Sequence, residues 1–449
     1  MGRTMAIRTA VATATRPLRV RNYRLYFTGQ VTSLSGTWMQ TAGLAWLVLH
    51  LTGSGTMLGL VTAAQFVPTL LGSAWGGLLA DRLAKHRTLL VTQTGLGLTA
   101  AALAAVTLSG RAEVWMLVLL SVLTGVFTTV DNPVRQSFVT EVVDSRSLAT
   151  AVALNSVMFN SARIVGPALA SVIIDAFSPN VERGTGLCFA ANAVSYLAVI
   201  LCLSLMRRAD LRPAAPIARS RGQIRAAVVY AMQVPALRTI LAMMSIIGLL
   251  VFNYQVLLPL VARNVFQGDA RTFGLLSVAM GSGALVGSLA AAGRGRASPR
   301  LITGGAAVLG ACMLAAAAAP VLSVALVAWA LVGASMMTLM SAASTTLQLA
   351  TRPDMRGRVI ALYMLLLMGS TPIGGPIMGW LAQNVGTRFA LGVGGGSPGG
   401  GHHRLRPRPH PGRPEPSRRQ PGGRRPAWAP GRGAGARSTT PRVLSLPHD

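Results

Sequence analysis

The sequence predicts an all-α integral membrane protein, a two-half helical bundle with about 11 transmembrane helices. Three observations predict it. Of 449 residues, 51% are hydrophobic and only 12% charged, whereas soluble domains carry about 25% charged residues. The charges avoid long stretches: none lies between Arg24 and Asp81, and none between Arg87 and Arg111. The bases also alternate in density. Segments on the side of the N-terminus hold 24 of them through residue 358, and the opposite loops hold five: Arg111, Arg183, Arg263, Arg271 and Arg388. Bases concentrate on the cytoplasmic side of membrane helices, so the N-terminus is expected inside. One lysine against 40 arginines, with abundant Ala and Gly, points to a GC-rich bacterial gene and hence to the inner (plasma) membrane.

The elements follow in order. Residues 1–24 form a cytoplasmic arm with six arginines; the apolar run behind it is too long for a cleavable signal. Residues 25–206 form an N-terminal six-helix half. Its spans are 25–80 (two passes, broken near Leu51 to Gly55), 88–109, 114–130, 148–174 and 186–206. Residues 207–236 are a cytoplasmic inter-half loop containing Pro213, Pro216 and an amphipathic stretch at 224–234. Residues 237–390 form a C-terminal half of five helices: 237–261, 273–293, 301–350 (two passes, broken near Ala319-Pro320) and 359–383.

After Arg388 a twelfth span is due. Instead, 391–449 is a basic tail of Gly, Pro, Arg and His, and residues 404–442 alone hold 11 of the 41 bases. Proline and this charge density forbid a spanning helix, so the tail is expected to be disordered, with a gap beside the eleventh helix. A GC-rich gene read out of frame from about codons 391–401 would yield this composition. A genuine basic tail that binds anionic lipid or nucleic acid is the alternative.

The halves carry matching marks. Gly77 recurs as Gly287 and Asp144-x-Arg146 as Asp354-x-Arg356, both at an offset of 210; Gly166-Pro167 recurs as Gly375-Pro376 at 209. Three matches at nearly one offset indicate duplicated halves, as transporters have. The copy has decayed, since Ala291 stands where Asp81 would recur.

The charges between the second and third spans are the first motif: Gly77-Leu-Leu-Ala-Asp81-Arg82-Leu-Ala84-Lys85-His86-Arg87. A glycine one turn from the helix end lets two helices approach closely. Asp81 is suited to the free N–H groups of a neighbouring helix start. The second motif leaves the fourth span: Asp131-Asn-Pro-Val-Arg135-Gln-Ser-Phe-Val-Thr-Glu141. It continues through Asn155, Asn160, Arg163 and Gly166-Pro167, and is joined by Gly36 to Gln40 and by Arg356-Gly-Arg358.

The first motif resembles the G-x-x-x-D-R-x-G-R-R signature of the major facilitator superfamily, with Ala84 in place of the usual glycine. The whole run, over roughly residues 20–390, looks like the drug-efflux and siderophore (enterobactin) exporter branch. The resemblance implies a secondary transporter that exports amphipathic small molecules by alternating access, as an antiporter or multidrug efflux protein. It assigns a conformational gate to Gly77, Asp81, Arg82, Arg87, Asp131, Arg135, Arg356 and Arg358, whose charges would bridge the halves on the cytoplasmic face. It also implies a helix hinge at Gly166 and Pro167. The different-class alternative is a transport-defective or regulatory membrane protein, and uptake is a further one.

Arg163 is the most informative single residue. An arginine inside a span is costly unless paired or hydrated, and so defaults to a functional hypothesis. It is suited to binding an anion, pairing with Asp131 or Asp175, or responding to protonation; locking helices together is the structural alternative. Asn155, Asn160, Gln40, Gln65, Gln255, Trp38 and Phe159 are candidates to line a central cavity, with Gln30, Asn253, Phe66, Tyr254 and Met368 beside them. No acid lies deep in the first three spans, so the coupling ion is open; a proton gradient is the expectation. No G-x-x-x-x-G-K phosphate loop is present, which excludes ATP drive and, with no enzyme signature, leaves no cofactor to expect. Cys188, Cys202 and Cys312 are odd in number and lack metal spacing. No metal is expected, and the partners expected are the substrate and the bilayer, with the chain a monomer and no nucleic acid bound.

Overall fold

The computed structural model describes residues 15–212, 223–292 and 299–396; the side chains of 73–82, 223, 224, 292, 299 and 300 are not described. Gly77, Asp81, Arg82 and the tail beyond residue 396 therefore lie outside the described side chains. The described chain is helical. The first half consists of α1 (Arg21–Thr52), α2 (Gly55–Arg82), α3 (Lys85–Leu108), α4 (Val114–Val142), α5 (Ser145–Ala176) and α6 (Val181–Ser204). The linker carries α7 (Gln223–Gln233). The second half consists of α8 (Pro235–Leu250), α9 (Tyr254–Leu260), α10 (Ala270–Ala292), α11 (Pro299–Ala318), α12 (Leu322–Ala350), α13 (Arg356–Gly369), α14 (Thr371–Asn384) and α15 (Thr387–Gly396).

Ten helical stretches among the described residues are long and apolar enough to cross a membrane, with α8–α9 and α13–α14 each counted as one. Helix α1 is 32 residues long, which is ample, but it is richer in Thr, Ser and Gln than the others. Leu71, Val91, Leu98, Val172, Val194, Leu197, Leu289 and Leu349 are exposed on the bundle's outside, as lipid solvation requires.

Two spans are broken. Helix α8 ends at Leu250, and Asn253 turns its amide inward: Nδ2 donates to the Leu249 carbonyl at 2.6 Å, satisfying a group left free at the helix end. Helix α13 gives way to α14 at Ser370, whose Oγ donates to the Leu367 carbonyl at 2.9 Å. Asp269 opens α10 and accepts from the Thr272 backbone N–H at 2.9 Å, a bond that holds its carboxyl below the usual range.

Helix packing corresponds between the halves. Helix α2 packs on α4, and α10 on α12; α3 packs on α4 and α6, and α11 on α12 and α15. The halves meet along α2 with α14 and along α5 with α10, which is one contact seen twice once α2 is equated with α10 and α5 with α13–α14. At Gly287, the mate of Gly77, the α10 backbone comes close enough to α12 that a Cβ would collide with the Ala334 carbonyl.

Helix α15 corrects the expected second half. Regular structure continues six residues beyond the boundary placed at 390, and α15 packs on α14, beside the eleventh span where a gap was expected, as well as on α11. It is pinned there by Arg388, whose guanidinium donates to the Ala317 and Ala319 carbonyls at 2.9 Å each, capping the C-terminal end of α11. Its ten residues are half the length that a span needs, which is about 20.

Candidate functional site

The site lies where the halves meet. A cleft of about 470 Å³, counted to its open mouth, is lined by residues of α1, α5, α9 and α10, among them Trp38, Arg163, Tyr254, Gln255, Phe273 and Ser277. A smaller one, sharing Thr41, Ala45 and Gln255 with it, extends to Thr62 and Gln65 of α2. Arg163, Trp38 and Gln255 thus line the first cleft, and Gln65 and Gln255 the second. Phe159 joins them edge-on against Trp38, with ring centroids 6.0 Å apart. Thr41, Thr62, Phe273, Ser277 and Met280 complete the lining; a helical pattern cannot show which of its small polar or apolar residues faces a cleft rather than a neighbouring helix.

Among the described residues Arg163 finds aromatic rings and no acid. Its guanidinium carbon sits 5.4 Å from the Trp38 ring centroid and 5.3 Å from that of Tyr254. Nη2 donates to the Tyr254 hydroxyl at 3.1 Å. Neither expected partner is available. Asp131 is engaged elsewhere, and Asp175 is exposed at the far end of α5, about 18 Å along the helix at 1.5 Å per residue. Cation–π contact supplies about 0.5–2 kcal/mol, against about 2.5–3.5 kcal/mol for placing an arginine at mid-membrane. Two such contacts, about 1–4 kcal/mol together, offset much of that cost.

Three expected cavity residues line neither cleft. Gln40 is buried and accepts from Asn192 Nδ2 at 2.8 Å; with Ser195 this forms a polar clasp between α1 and α6, not a cavity wall. Asn155 Oδ1 accepts from the Tyr23 hydroxyl at 3.4 Å, and Asn160 Nδ2 donates to the Ser156 carbonyl of its own helix at 2.8 Å. Gly166 is a packing site: a Cβ there would meet Trp38 and the α1 backbone. Helix α5 runs unbroken through Pro167.

The gate charges among the described residues, Arg87, Asp131, Arg135, Arg356 and Arg358, do not bridge the halves. Asp131 is buried within the first half. It accepts from Thr92 Oγ1 at 2.7 Å and Gln93 Nε2 at 2.8 Å, and its Oδ2 lies 3.3 Å from Arg135 Nε. Arg135 also donates to Asn132 Oδ1 at 2.6 Å and Gln30 Oε1 at 3.4 Å. Arg356 donates to the Thr351 carbonyl at 3.2 Å, and Arg358 contacts the Met355 sulfur at 3.4 Å; both hold their own turn. Arg87 is exposed. The neighbouring Lys85 makes an ion pair that sequence reasoning missed, 2.5 Å to Glu141, joining the start of α3 to the end of α4. Glu141 stands in the quoted motif, but only the fold brings it to Lys85, 56 residues away.

The halves close at the base-poor end. Gly55 packs against Gly379, and Gly59 against Gly375, so tightly that a Cβ on either α2 glycine would strike α14 backbone. Gln383 Oε1 accepts from Ser54 Oγ at 2.7 Å, Thr56 Oγ1 at 3.0 Å and Thr56 N–H at 3.1 Å. Arg263 donates to the Leu49 carbonyl, and Trp46 stacks on Phe273 at 6.0 Å. Among the described residues, every side-chain hydrogen bond between the halves lies at this end or at Arg163.

A two-half helical bundle with its cleft at the junction defines a major facilitator transporter. The chain belongs to the transmembrane secretion effector family, whose signature matches residues 12–397. It is 28% identical to the Staphyloferrin A transporter of Staphylococcus aureus over 268 residues, covering 59% of this chain and 66% of that protein, just under two thirds. It is 25% identical to the Multidrug efflux pump Tap of Mycolicibacterium fortuitum over 373 residues, 79% of this chain and 88% of that one. Among solved structures, a bacterial homologue of the iron transporter ferroportin in the inward-facing state matches with a TM-score of 0.69 at 15% identity, covering 85% of this chain and 96% of that one. A bacterial homologue of the lysosomal transporter Spinster, also inward-facing, gives 0.63 at 15% identity, covering 85% and 94%. At these identities the structures speak for the fold.

Proposed function

We propose that the protein is a plasma-membrane secondary transporter that exports amphipathic small molecules by alternating access, its N-terminus cytoplasmic and its coupling ion a proton. The observation that carries this reading is the asymmetry of the junction. The base-poor end is sealed by the glycine seam and by Gln383, while the described gate charges at the base-rich end bond only within their own halves. With bases inside, this is the inward-open member of the two states such a carrier visits. The relatives, a siderophore transporter and a drug efflux pump, support a small-molecule cargo. Asp131 is the candidate for coupling, because among the described residues it is the one acid buried at mid-helix. The chain is expected to act as a monomer.

The test is drug susceptibility in an efflux-deficient host, with and without a proton uncoupler. Expression should raise tolerance, and the uncoupler should abolish the gain. Unchanged tolerance, together with failure to move any probe in proteoliposomes, would favour the second reading, a transport-defective or regulatory protein. That reading is supported by the end of the family match at residue 397, where the composition breaks. Translating the gene's other two frames bears on it: an apolar run of about 20 residues after Phe389 is expected if the tail is out of frame.

A further inference from the structure

We infer that the central cleft is an anion site, in which Arg163 takes the carboxylate of a substrate whose apolar or aromatic body lies among Phe273, Leu258 and Met280. This rests on the reading of the cleft as a transport site and narrows its cargo. Arg163 is the one charged side chain among the residues lining both clefts. No acid lies anywhere between Asp269 and Asp354, so α10, α11 and α12 bring no counter-charge. Helix α5 carries its acids only at Asp175 and just ahead of its first turn at Asp144. On α4, Asp131 is spoken for by Thr92, Gln93 and Arg135.

The guanidinium is also oriented. Trp38 and Tyr254 hold it by their ring faces, and a guanidinium has five N–H donors in a planar fork that matches a carboxylate. Among the described residues one acceptor is found, the Tyr254 hydroxyl. The free donors border the cleft, and Thr41, Ser277 and Gln255 offer neutral hydrogen-bonding groups around it. Such a site favours a carboxylate over a neutral molecule of equal shape, and disfavours an ammonium. It also spans the junction: Trp38 and Arg163 belong to the first half and Tyr254 to the second, so an anion drawing on the Arg163 donors competes with a cross-half bond.

The test uses the full chain in phosphatidylcholine nanodiscs and three probes with one body: pyrenebutyrate, pyrenebutanol and pyrenebutylammonium. Binding is read by energy transfer from tryptophan to pyrene. The carboxylate should bind about tenfold or more tighter than the alcohol, and the ammonium weakest. Arg163→Gln should abolish that order, and Arg163→Lys should keep it in weakened form. Equal binding of all three by the native chain, or an unchanged order in Arg163→Gln, overturns the proposal. If Arg163→Gln does not fold, the native order and Arg163→Lys still decide it. Proteoliposome transport of the same probes separates the two readings. Ordered binding without movement supports the anion site and removes the transport reading. Equal movement of all three removes the anion site and keeps the transport reading.

Discussion

Asp131 shows how much one buried side chain can organise. It receives hydroxyl and amide hydrogens from α3 and faces Arg135 on its own helix, which in turn reaches Gln30 of α1. Removing the acid leaves Arg135 nearly buried with no counter-charge, which costs about 3–5 kcal/mol for such pairs. Asp131→Ala should therefore lower the thermal unfolding temperature of the purified chain sharply. Asp131→Asn, which keeps an acceptor for Thr92 and Gln93, should lower it less. Equal melting of Asp131→Ala and the native chain would mean that the pair carries no stability. The Gln40–Asn192 clasp makes a smaller claim. Asn192→Ala leaves a buried amide without its donor, worth about 1–3 kcal/mol, with no expected effect on probe selectivity because Gln40 lies outside the cleft.

At the scale of elements, the α2–α14 seam is the most constrained contact. Gly59→Leu would drive a side chain into the Gly375 carbonyl. The two helices then have to part, and the base-poor end should remain open. A cysteine placed at Leu260, buried beside Gly55 at that end, in a background lacking the three native cysteines should then label with an impermeant thiol reagent from that face, and remain unlabelled with Gly59 intact. The seam was half legible in sequence: Gly375-Pro376 stood out as a repeat of Gly166-Pro167, but its partner on α2 depends on a junction that no local pattern encodes. Arg163 was legible because a lone charge in an apolar run stands out. Gln40 was misplaced for the converse reason, since a polar residue on a helix looks the same whether it faces a cleft or another helix. Helix α15 escaped notice because ten residues with three closing glycines have too little propensity; Arg388 and the flank of α11 supply what the sequence lacks.

For the whole molecule, the alternating-access reading proposed above makes the gate and the seam opposite ends of one rocking motion. In the state described, which that reading makes inward-open, Arg356 and Arg358 stay with their own turn. The resembled gate then requires them to approach Asp81 and the α4 motif when the base-rich end shuts. Asp81→Asn should cut transport while leaving membrane insertion and expression intact; full transport in that variant would remove the gating role. Phe159 is exposed on the base-rich side of the cleft. A cysteine there should react with an impermeant reagent applied to inside-out vesicles and become protected when pyrenebutyrate is added. Reaction only from the opposite face would reverse the orientation and, with it, the direction of export.

The glycine seam has a mechanical consequence. Where two helices touch through backbone alone, no side chain has to repack when they separate, and no rotamer freedom is lost when they rejoin. What opening uncovers is largely carbonyl oxygen, which water solvates readily. On the alternating-access reading, opening therefore costs little at the seam itself, and what holds the end shut is the polar set beside it, Gln383 with Ser54 and Thr56 and Arg263 with the Leu49 carbonyl. The seam is then the bearing, and those bonds are its latch.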